Sequence, residues 1–231
     1  MTRVVLFDID GTLLVSHGAG RAAMEAALLA HFGDAGPPSY RYDGKTDRLI
    51  VRETMRLAGF DDATIDARMD AVLDAYLAHL TGAISARAGL AYALPGVHAL
   101  LDAVEAADDL VLGLLTGNVV PGARAKLAAV DIAFDRFAVG AFGSDHEHRP
   151  ELPPIAQRRA SALLGREVPG DRIVIIGDTP ADVQCGRGIG ARAIAVATGG
   201  FGVAELEAHA PAATFADLTD TAGVLAAIRD A

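Results

Sequence analysis

Two aspartates near the start of the chain, Asp8 and Asp10, are the first residues whose type and position could do chemistry. They follow an apolar run at residues 4–7, which predicts a strand that is buried on both faces. Ligands of open α/β sheets bind beyond the carboxyl ends of such strands. Alternation along the strand would project both carboxylates to one side, while Ile9 turns into the protein. An ordinary turn at Asp10-Gly11 is the alternative interpretation.

A second apolar run that ends in acids lies at residues 173–176. Asp178 follows it after one glycine, and Asp182 comes four positions later. Thr179 and Pro180 form a good helix start, in which Asp182 could serve only to stabilise the first turn. Several carboxylates at one sheet edge repel each other unless a cation lies between them, and a purely oxygen ligand set favours Mg²⁺ over zinc.

A third predicted strand end carries uncharged polar groups. Residues 111–115 lead into Thr116, Gly117 and Asn118, which precede a predicted helix. A hydroxyl just before a helix N-terminus favours an anion, although the same triplet is also an ordinary turn. The three strand ends together would form one polar site at the sheet edge.

These segments, in this order, resemble motifs I, II and IV of the haloacid dehalogenase-like hydrolase superfamily. The long helical stretch between the first two motifs is similar to the phosphoglycolate-phosphatase-like branch, which has a helical cap there. The resemblance implies a phosphatase that acts on a small phosphorylated metabolite, with phosphoglycolate as the leading substrate. It also implies an aspartyl-phosphate intermediate and Mg²⁺ as cofactor.

The resemblance implies a role for each matched residue. Asp8 would be the nucleophile, and Asp10 would protonate the leaving alcohol and later activate the hydrolytic water. Thr116 and the amides of Gly117 and Asn118 would bind the phosphoryl oxygens. The implied metal ligands are the Asp8 carboxylate, the Asp10 backbone carbonyl, Asp178, and Asp182 through water or as an orienting group.

The chain departs from the family pattern at motif III, where a lysine often precedes proline. The corresponding place holds Arg149, followed by Pro150. Arg149 keeps the positive charge and can bind phosphate in a bidentate manner, so it is the preferred candidate. Lys126, in the helix after Thr116, competes for the role, and a solvent-facing lysine is its alternative interpretation.

The predicted cap contains a further candidate binding segment. Residues 44–47 resemble the substrate-facing segment of the family, so Lys45 and Asp47 are candidate substrate-binding residues. Three arginines follow at helical spacing and could face an anionic substrate, although a solvated basic face is favoured for the last two. They are Arg48, Arg52 and Arg56.

The elements that must position these residues follow from the apolar pattern. Helices are predicted at 19–32, 47–58 and 63–80, with no convincing strand in this region. Thereafter helices and strands alternate, which implies a parallel sheet. The predicted helices are 97–107, 121–129, 152–164, 181–186 and 218–228, and the predicted strands are 110–115, 137–141, 172–176, 193–197 and 213–215.

We therefore predict an α/β fold in which a Rossmann-like three-layer core with a parallel sheet carries an inserted all-helical cap. The core would comprise residues 1–14 and 95–231, and the cap would comprise residues 15–94. An insertion after the first strand would overhang Asp8 and could exclude water from the site.

Composition excludes several other classes of function. The formal net charge of −10 argues against a nucleic-acid partner, because phosphate backbones require a basic surface. No apolar run has the length of a membrane span, which argues against a membrane partner. The single Cys185 and the lack of a signal-peptide pattern predict a reducing, cytoplasmic location. The sequence does not define an oligomeric state.

Three alternative functions compete with the phosphatase. A phosphomutase shares the same motifs and differs chiefly in what its cap admits. A dehalogenase of the same superfamily needs neither a metal nor a second aspartate, so Asp10 argues against it. A phospho-aspartate signalling receiver also has an acidic pocket, but receivers are far shorter and carry the phosphoacceptor on a later strand.

Overall fold

The computed structural model describes residues 2–86 and 91–231. Its strands are β1 (Arg3–Phe7), β2 (Leu14–Val15), β3 (Tyr92–Ala93), β4 (Leu110–Thr116), β5 (Val139–Phe142), β6 (Ile173–Gly177), β7 (Arg192–Val196) and β8 (Ala213–Phe215). Its α-helices are α1 (Ala19–Phe32), α2 (Asp47–Leu57), α3 (Asp62–Ala86), α4 (Val97–Glu105), α5 (Val120–Ala128), α6 (Leu152–Leu164), α7 (Pro180–Cys185), α8 (Val203–Glu207) and α9 (Thr221–Asp230).

A parallel sheet with the strand order β5-β4-β1-β6-β7-β8 forms the centre of the core. In its register, Phe7 at the end of β1 lies opposite Leu114 of β4 and Ile176 of β6. The carboxyl ends of these three neighbouring strands therefore lie side by side. The predicted α/β fold class is confirmed.

Helices cover both faces of the sheet because side chains alternate along each strand. Val5 and Phe7 of β1 belong to an apolar cluster that includes residues of α4, α5 and α9. Val4 and Leu6 point the other way, into a cluster that includes residues of α6. The core therefore has three layers, as its fully apolar strands indicate.

The helices α1, α2 and α3 pack against each other and form a separate apolar cluster. Its largest fully buried side chain is Tyr76 of α3. This separate cluster supports the division into a core at 1–14 and 95–231 and a cap at 15–94, and that division remains a prediction.

The expectation of no strand between residues 15 and 92 is wrong at the two boundaries of the cap. Leu14 and Val15 pair in an antiparallel ladder with Ala93 and Tyr92, and the backbone N–H of Leu94 donates to Leu13 O at 2.9 Å. A two-residue strand is too short to show an alternating pattern, so no periodicity indicates it.

Other differences concern element ends. Strand β5 starts at Val139 rather than 137, because a short 3-10 helix occupies Phe134–Arg136. Helix α9 starts at Thr221 rather than 218, because Asp220 caps it by accepting from the backbone N–H of Gly223 at 3.0 Å. Helix α8 was not predicted. Among the described helices, none combines the length and the apolar character that crossing a membrane requires.

Candidate active site

The carboxyl ends of β1, β4 and β6 meet beneath the cap helices. Asp8 follows β1, Thr116 ends β4, and Asp178 follows β6. All three line a cavity of about 520 Å³, which is a typical volume for a small-molecule site. Residues of α1, α2 and α3 also line the cavity, so these helices overhang the edge of the sheet.

Three buried carboxylates form an acidic cluster, and two of them, Asp8 and Asp178, line this cavity. One oxygen from each of Asp8, Asp178 and Asp182 lies within 4.8 Å of the others. Burial raises the pKa of Asp8 to about 6, with Arg149 opposing the rise and the charges of Asp182 and Asp10 adding to it. Burial and the charges of its two neighbours also raise the pKa of Asp178 well above its ordinary value.

Two glycines allow the loops to close tightly around Asp178. A Cβ atom on Gly11, whose φ is +79°, would lie 2.4 Å from Asp178 Oδ2, and one on Gly199 would lie 1.8 Å from the same atom. Thr12 Oγ1 donates to Asp178 Oδ1 at 2.9 Å. The carboxylate is therefore held in place by its surroundings, and its oxygens belong to the type that Mg²⁺ prefers.

Arg149 is the cation that enters the acidic cluster. Its Nη2 lies 3.2 Å from Asp8 Oδ1, and the same atom donates to Asp182 Oδ1. Burial lowers the pKa of Arg149, but the charges of Asp182 and Asp8 outweigh that effect and raise it overall, so the guanidinium stays charged. Its Nε is buried without a hydrogen-bond partner among the described residues.

Asp182 combines the two roles considered for it. Its Oδ2 accepts from Thr179 N at 3.0 Å and from Thr179 Oγ1 at 2.7 Å, while its own N–H donates to Thr179 Oγ1, which completes a capping box at the start of α7. Its Oδ1 accepts from Arg149. Because both oxygens are engaged with protein donors, the geometry favours an orienting role over direct metal ligation.

Lys126 is buried, so the alternative of a solvent-facing lysine is wrong. Its Nζ donates to Asp10 Oδ2 and to Asn118 Oδ1, each at 2.6 Å. The cap explains the burial, because Gly20 of α1 and Tyr76 of α3 lie over the ammonium group. Burial lowers the pKa of Lys126, but the electrostatic effects of Asp10, Tyr76 and Asp47 outweigh that of burial and raise the pKa overall.

The hydrogen bonds around Asp10 leave one of its oxygens available. Oδ2 accepts from Lys126 and also from Asn118 Nδ2 at 2.8 Å. Among the described residues, no donor reaches Oδ1. Asn118 Nδ2 also donates to Thr116 Oγ1 at 2.8 Å, so the predicted phosphate-binding loop and Asp10 form one network.

Asp47 connects the cap to that loop. Its Oδ2 accepts from Val119 N at 2.8 Å, and its backbone N–H donates to Gly117 O at 2.8 Å. Burial raises the pKa of Asp47 to about 6, while Lys126 opposes the rise. A Cβ on Gly117 would lie 2.0 Å from Lys45 O, so only glycine permits this close approach. Asp47 thus joins helix α2 of the predicted cap to the loop that follows β4.

Lys45 and the three arginines of α2 are each paired with an acid. Lys45 lines the cavity, and its Nζ donates to Tyr40 Oη and to Glu53, each at 2.6 Å. Three salt bridges, all away from the cavity lining, hold the arginines of α2: Arg48 with Asp70, Arg52 with Asp66, and Arg56 with Asp62. Arg52 also bonds Glu147 of the core and is largely buried, so it is not part of a solvated face.

Sequence reasoning assigned no role to three residues that the structure brings to the site. Thr12, directly after Gly11, donates to Asp178. Thr198, just after β7, donates to Gly11 O at 2.6 Å. Tyr76 reaches the cavity from the middle of α3, where its only sequence signal is a position on the apolar face of a helix.

Comparisons with known proteins show the family and the fold of the chain. A family model described as haloacid dehalogenase-like hydrolase matches residues 5–187. The chain is 32% identical to a phosphoglycolate phosphatase of Rhodospirillum rubrum over 232 residues, covering 96% of this chain and 92% of that protein. A hydrolase from Pseudomonas syringae has a similar structure, with a TM-score of 0.72, 22% identity and 98% of each chain covered. CbbY from Rhodobacter sphaeroides in complex with phosphate gives a TM-score of 0.66 at 20% identity, covering 95% of this chain and 96% of that one.

Proposed function

Because the chain belongs to the haloacid dehalogenase-like hydrolase family, we propose that it is a Mg²⁺-dependent phosphatase that forms an aspartyl-phosphate on Asp8. The observation that carries this proposal is the placement of Asp8 beside Arg149, Asp178 and the acid Asp10 at one sheet edge. The substrate class is a small phosphorylated metabolite. Phosphoglycolate is the first compound to assay, because it names the activity of the relative from Rhodospirillum rubrum.

In the first step, an Asp8 carboxylate oxygen attacks phosphorus and the bond from phosphorus to the ester oxygen breaks. Asp10 donates its proton to that departing oxygen, so the alcohol leaves neutral. The Oδ1 atom of Asp10 suits this transfer, because Lys126 and Asn118 engage only Oδ2. In the second step, Asp10 takes a proton from water, the water oxygen attacks phosphorus, and the Asp8–phosphorus bond breaks.

Residues around Asp8 would bind the phosphoryl group during both steps. Thr116 Oγ1 and the backbone amides of Gly117 and Asn118 lie at the end of β4, where they could donate to the phosphoryl oxygens. Arg149 would neutralise part of the negative charge that develops between nucleophile and phosphate, and Asp182 would keep its guanidinium in place. We therefore assign the motif III role to Arg149 and not to Lys126.

The acidic cluster suits Mg²⁺, because its donors are carboxylate oxygens. Burial and, after it, the neighbouring acids raise the pKa values of Asp8 and Asp178, and a bound cation would balance these charges. Asp8 and Asp178 would hold the ion together with the Asp10 backbone carbonyl. When bound, Mg²⁺ supplies charge that screens the nucleophile from the phosphate and polarises a phosphoryl oxygen.

The proposal is tested by phosphate release from p-nitrophenyl phosphate. We expect release with Mg²⁺, and its loss both in EDTA and in Asp8→Asn. Equal rates in these three conditions would contradict the proposal. Acid quenching during turnover, followed by borohydride reduction, should convert residue 8 to homoserine, because borohydride reduces an acyl phosphate but not a free carboxylate. Mass spectrometry of the peptide that contains residue 8 detects the change.

The same assays separate the phosphatase from its alternatives. A phosphomutase would return an isomeric phosphate ester, with little free phosphate. A dehalogenase would turn over a halogenated acid without Mg²⁺, and a receiver would be phosphorylated on aspartate without catalytic turnover. A cytoplasmic location remains a prediction.

A further inference from the structure

We propose that Tyr76, Gly20 and Lys126 form a leaving-group subsite that binds a neutral oxygen, a hydroxyl or carbonyl group, of the substrate. This inference rests on the proposed phosphatase function and adds to it the kind of substrate. The three residues line the cavity on the side where the cap meets Asp10. We refer to them as the leaving-group subsite.

Tyr76 provides the first observation. It is 1% exposed, yet it lines the cavity, and no described residue forms a hydrogen bond with its hydroxyl. The hydroxyl oxygen is not sealed by protein atoms but is open to the cavity, so water or a ligand is the hydrogen-bond partner that it can have there. Burial raises the pKa of Tyr76, so the phenol stays neutral and can donate as well as accept.

Gly20 provides the second observation, because it keeps space open between Tyr76 and Lys126. A Cβ at this position would lie 3.2 Å from Lys126 Nζ and 3.9 Å from Tyr76 Oη. Glycine near the start of α1 is a poor helix former, and here it leaves room for an atom that both polar groups could reach. Lys126 donates to Asp10 and Asn118, which leaves the third of its N–H groups for that atom.

The charges around the cavity determine which kind of group fits. Every lysine and arginine among the described residues that line it is paired with a carboxylate. The pairs are Arg21 with Glu25 at 2.8 Å, Lys45 with Glu53 at 2.6 Å, Lys126 with Asp10 at 2.6 Å and Arg149 with Asp8 at 3.2 Å.

Lys126 also lies close enough to buried Asp47 for that acid to raise its pKa. A substrate carboxylate in the subsite would lose its own hydration, and it would lie near the negative charge of Asp47, which acts on both Lys126 and Tyr76. A hydroxyl or carbonyl oxygen pays no such cost and can accept from Tyr76 and Lys126.

The place of the subsite defines where the oxygen lies in the substrate. Asp10 protonates the ester oxygen in the proposed mechanism, and Lys126 bonds the same carboxylate group. The subsite therefore lies beside the first carbon atoms of the leaving group. The substrate expected to fit is a phosphate ester with a hydroxyl or carbonyl group on the carbon next to the ester carbon.

Three esters with the same two-carbon chain test this inference: ethyl phosphate, 2-hydroxyethyl phosphate and phosphoglycolate. The measurement is kcat/KM with Mg²⁺ for wild type, Tyr76→Phe and the control Tyr42→Phe. Tyr42 suits the control because it lines the same cavity and its hydroxyl also lacks a partner among the described residues, but that oxygen is buried and not open to the cavity. Intrinsic differences in ester reactivity cancel when each ester is compared between wild type and variant.

We expect the kcat/KM of wild type to be about fivefold to tenfold higher for 2-hydroxyethyl phosphate than for ethyl phosphate, which is the effect of one hydrogen bond. The preference for 2-hydroxyethyl phosphate over phosphoglycolate should be at least as large. Tyr76→Phe should reduce the first preference to about one, and Tyr42→Phe should keep it. Gly20→Ala, which fills the space beside Lys126, should also reduce it.

The subsite is refuted if phosphoglycolate is the best of the three esters, or if Tyr76→Phe lowers all three by the same factor. If the enzyme hydrolyses neither these three esters nor p-nitrophenyl phosphate, the proposed phosphatase function is refuted and the subsite with it. The two failures are thus distinguished in one set of assays.

Discussion

Replacing Asp8 with asparagine is expected to abolish turnover and, at the same time, to stabilise the metal-free fold. The carboxyl group is buried, and its pKa is raised from 3.8 to about 6. The protonated form is therefore favoured by folding, so this group's contribution to stability is complete below pH 4 and is lost as the pH rises through about 6. A shift of about two units corresponds to about 3 kcal/mol at pH 8, which is the largest gain expected when asparagine removes the charge.

Urea denaturation in EDTA at several pH values between 4 and 8 measures this effect. The free energy of unfolding of Asp8→Asn should exceed that of wild type by up to about 3 kcal/mol at pH 8, and the difference should vanish near pH 4. Asp74→Asn, which removes an exposed carboxylate of α3, controls for the change in net charge.

Mg²⁺ should reverse the order of the two proteins, or at least narrow the difference between them. Wild type gains stability in proportion to the logarithm of the Mg²⁺ concentration once the site is saturated, and the variant lacks one ligand. Equal stability of wild type and Asp8→Asn in EDTA at pH 8, or a difference that does not depend on pH, would refute the reasoning from burial.

Three further substitutions test separate parts of the site. Arg149→Ala leaves two buried carboxylates without their cation, so it is expected to lower the free energy of unfolding by about 3–5 kcal/mol and kcat by at least about a hundredfold. Arg149→Lys should retain part of the stability and part of the activity. Equal effects of the two substitutions would contradict the assigned role. Lys126→Met should lower kcat by about 10- to 100-fold with a smaller change in KM, because Asp10 loses a donor that orients it, and a change in KM alone would contradict this. Gly117→Ala forces a methyl group against the backbone carbonyl of Lys45, so it should cost about 1–3 kcal/mol in thermal or urea denaturation, and an unchanged midpoint would show that the loop moves freely.

The acids at the strand ends could be predicted from the sequence because one rule positions them. Parallel strands end at the same edge of a sheet, so apolar runs that stop at Asp8, Thr116 and Asp178 must bring these residues together. Their placement requires no knowledge of the loops. Arg149 was the preferred candidate for the cation because it precedes a proline at the place where the family often has a lysine, and because it keeps the positive charge.

The surroundings of Lys126 could not be predicted in the same way. Its burial depends on Gly20 and Tyr76, which belong to an insertion far away in sequence, and on the angle at which that insertion meets the core. The pattern of α5 is no guide, because the helix is apolar on several sides. The interpretation of Arg52 as part of a solvated face is wrong for a related reason, because Arg52 is paired with Glu147, a residue of the core, whereas Arg56 is exposed.

The ladder between β2 and β3 has a consequence for how such a protein can change over time. Residues 16–91 leave the core and return to it at neighbouring positions, so the sheet requires no adjustment when this segment is lengthened, shortened or exchanged. The residues of the proposed mechanism, Asp8, Asp10 and Asp178, lie outside this segment, while Gly20 and Tyr76 of the leaving-group subsite lie within it. Substrate selectivity can therefore change in evolution while the catalytic residues stay the same. A chain in which a tight turn joins Val15 to Tyr92 would retain every strand of the central sheet.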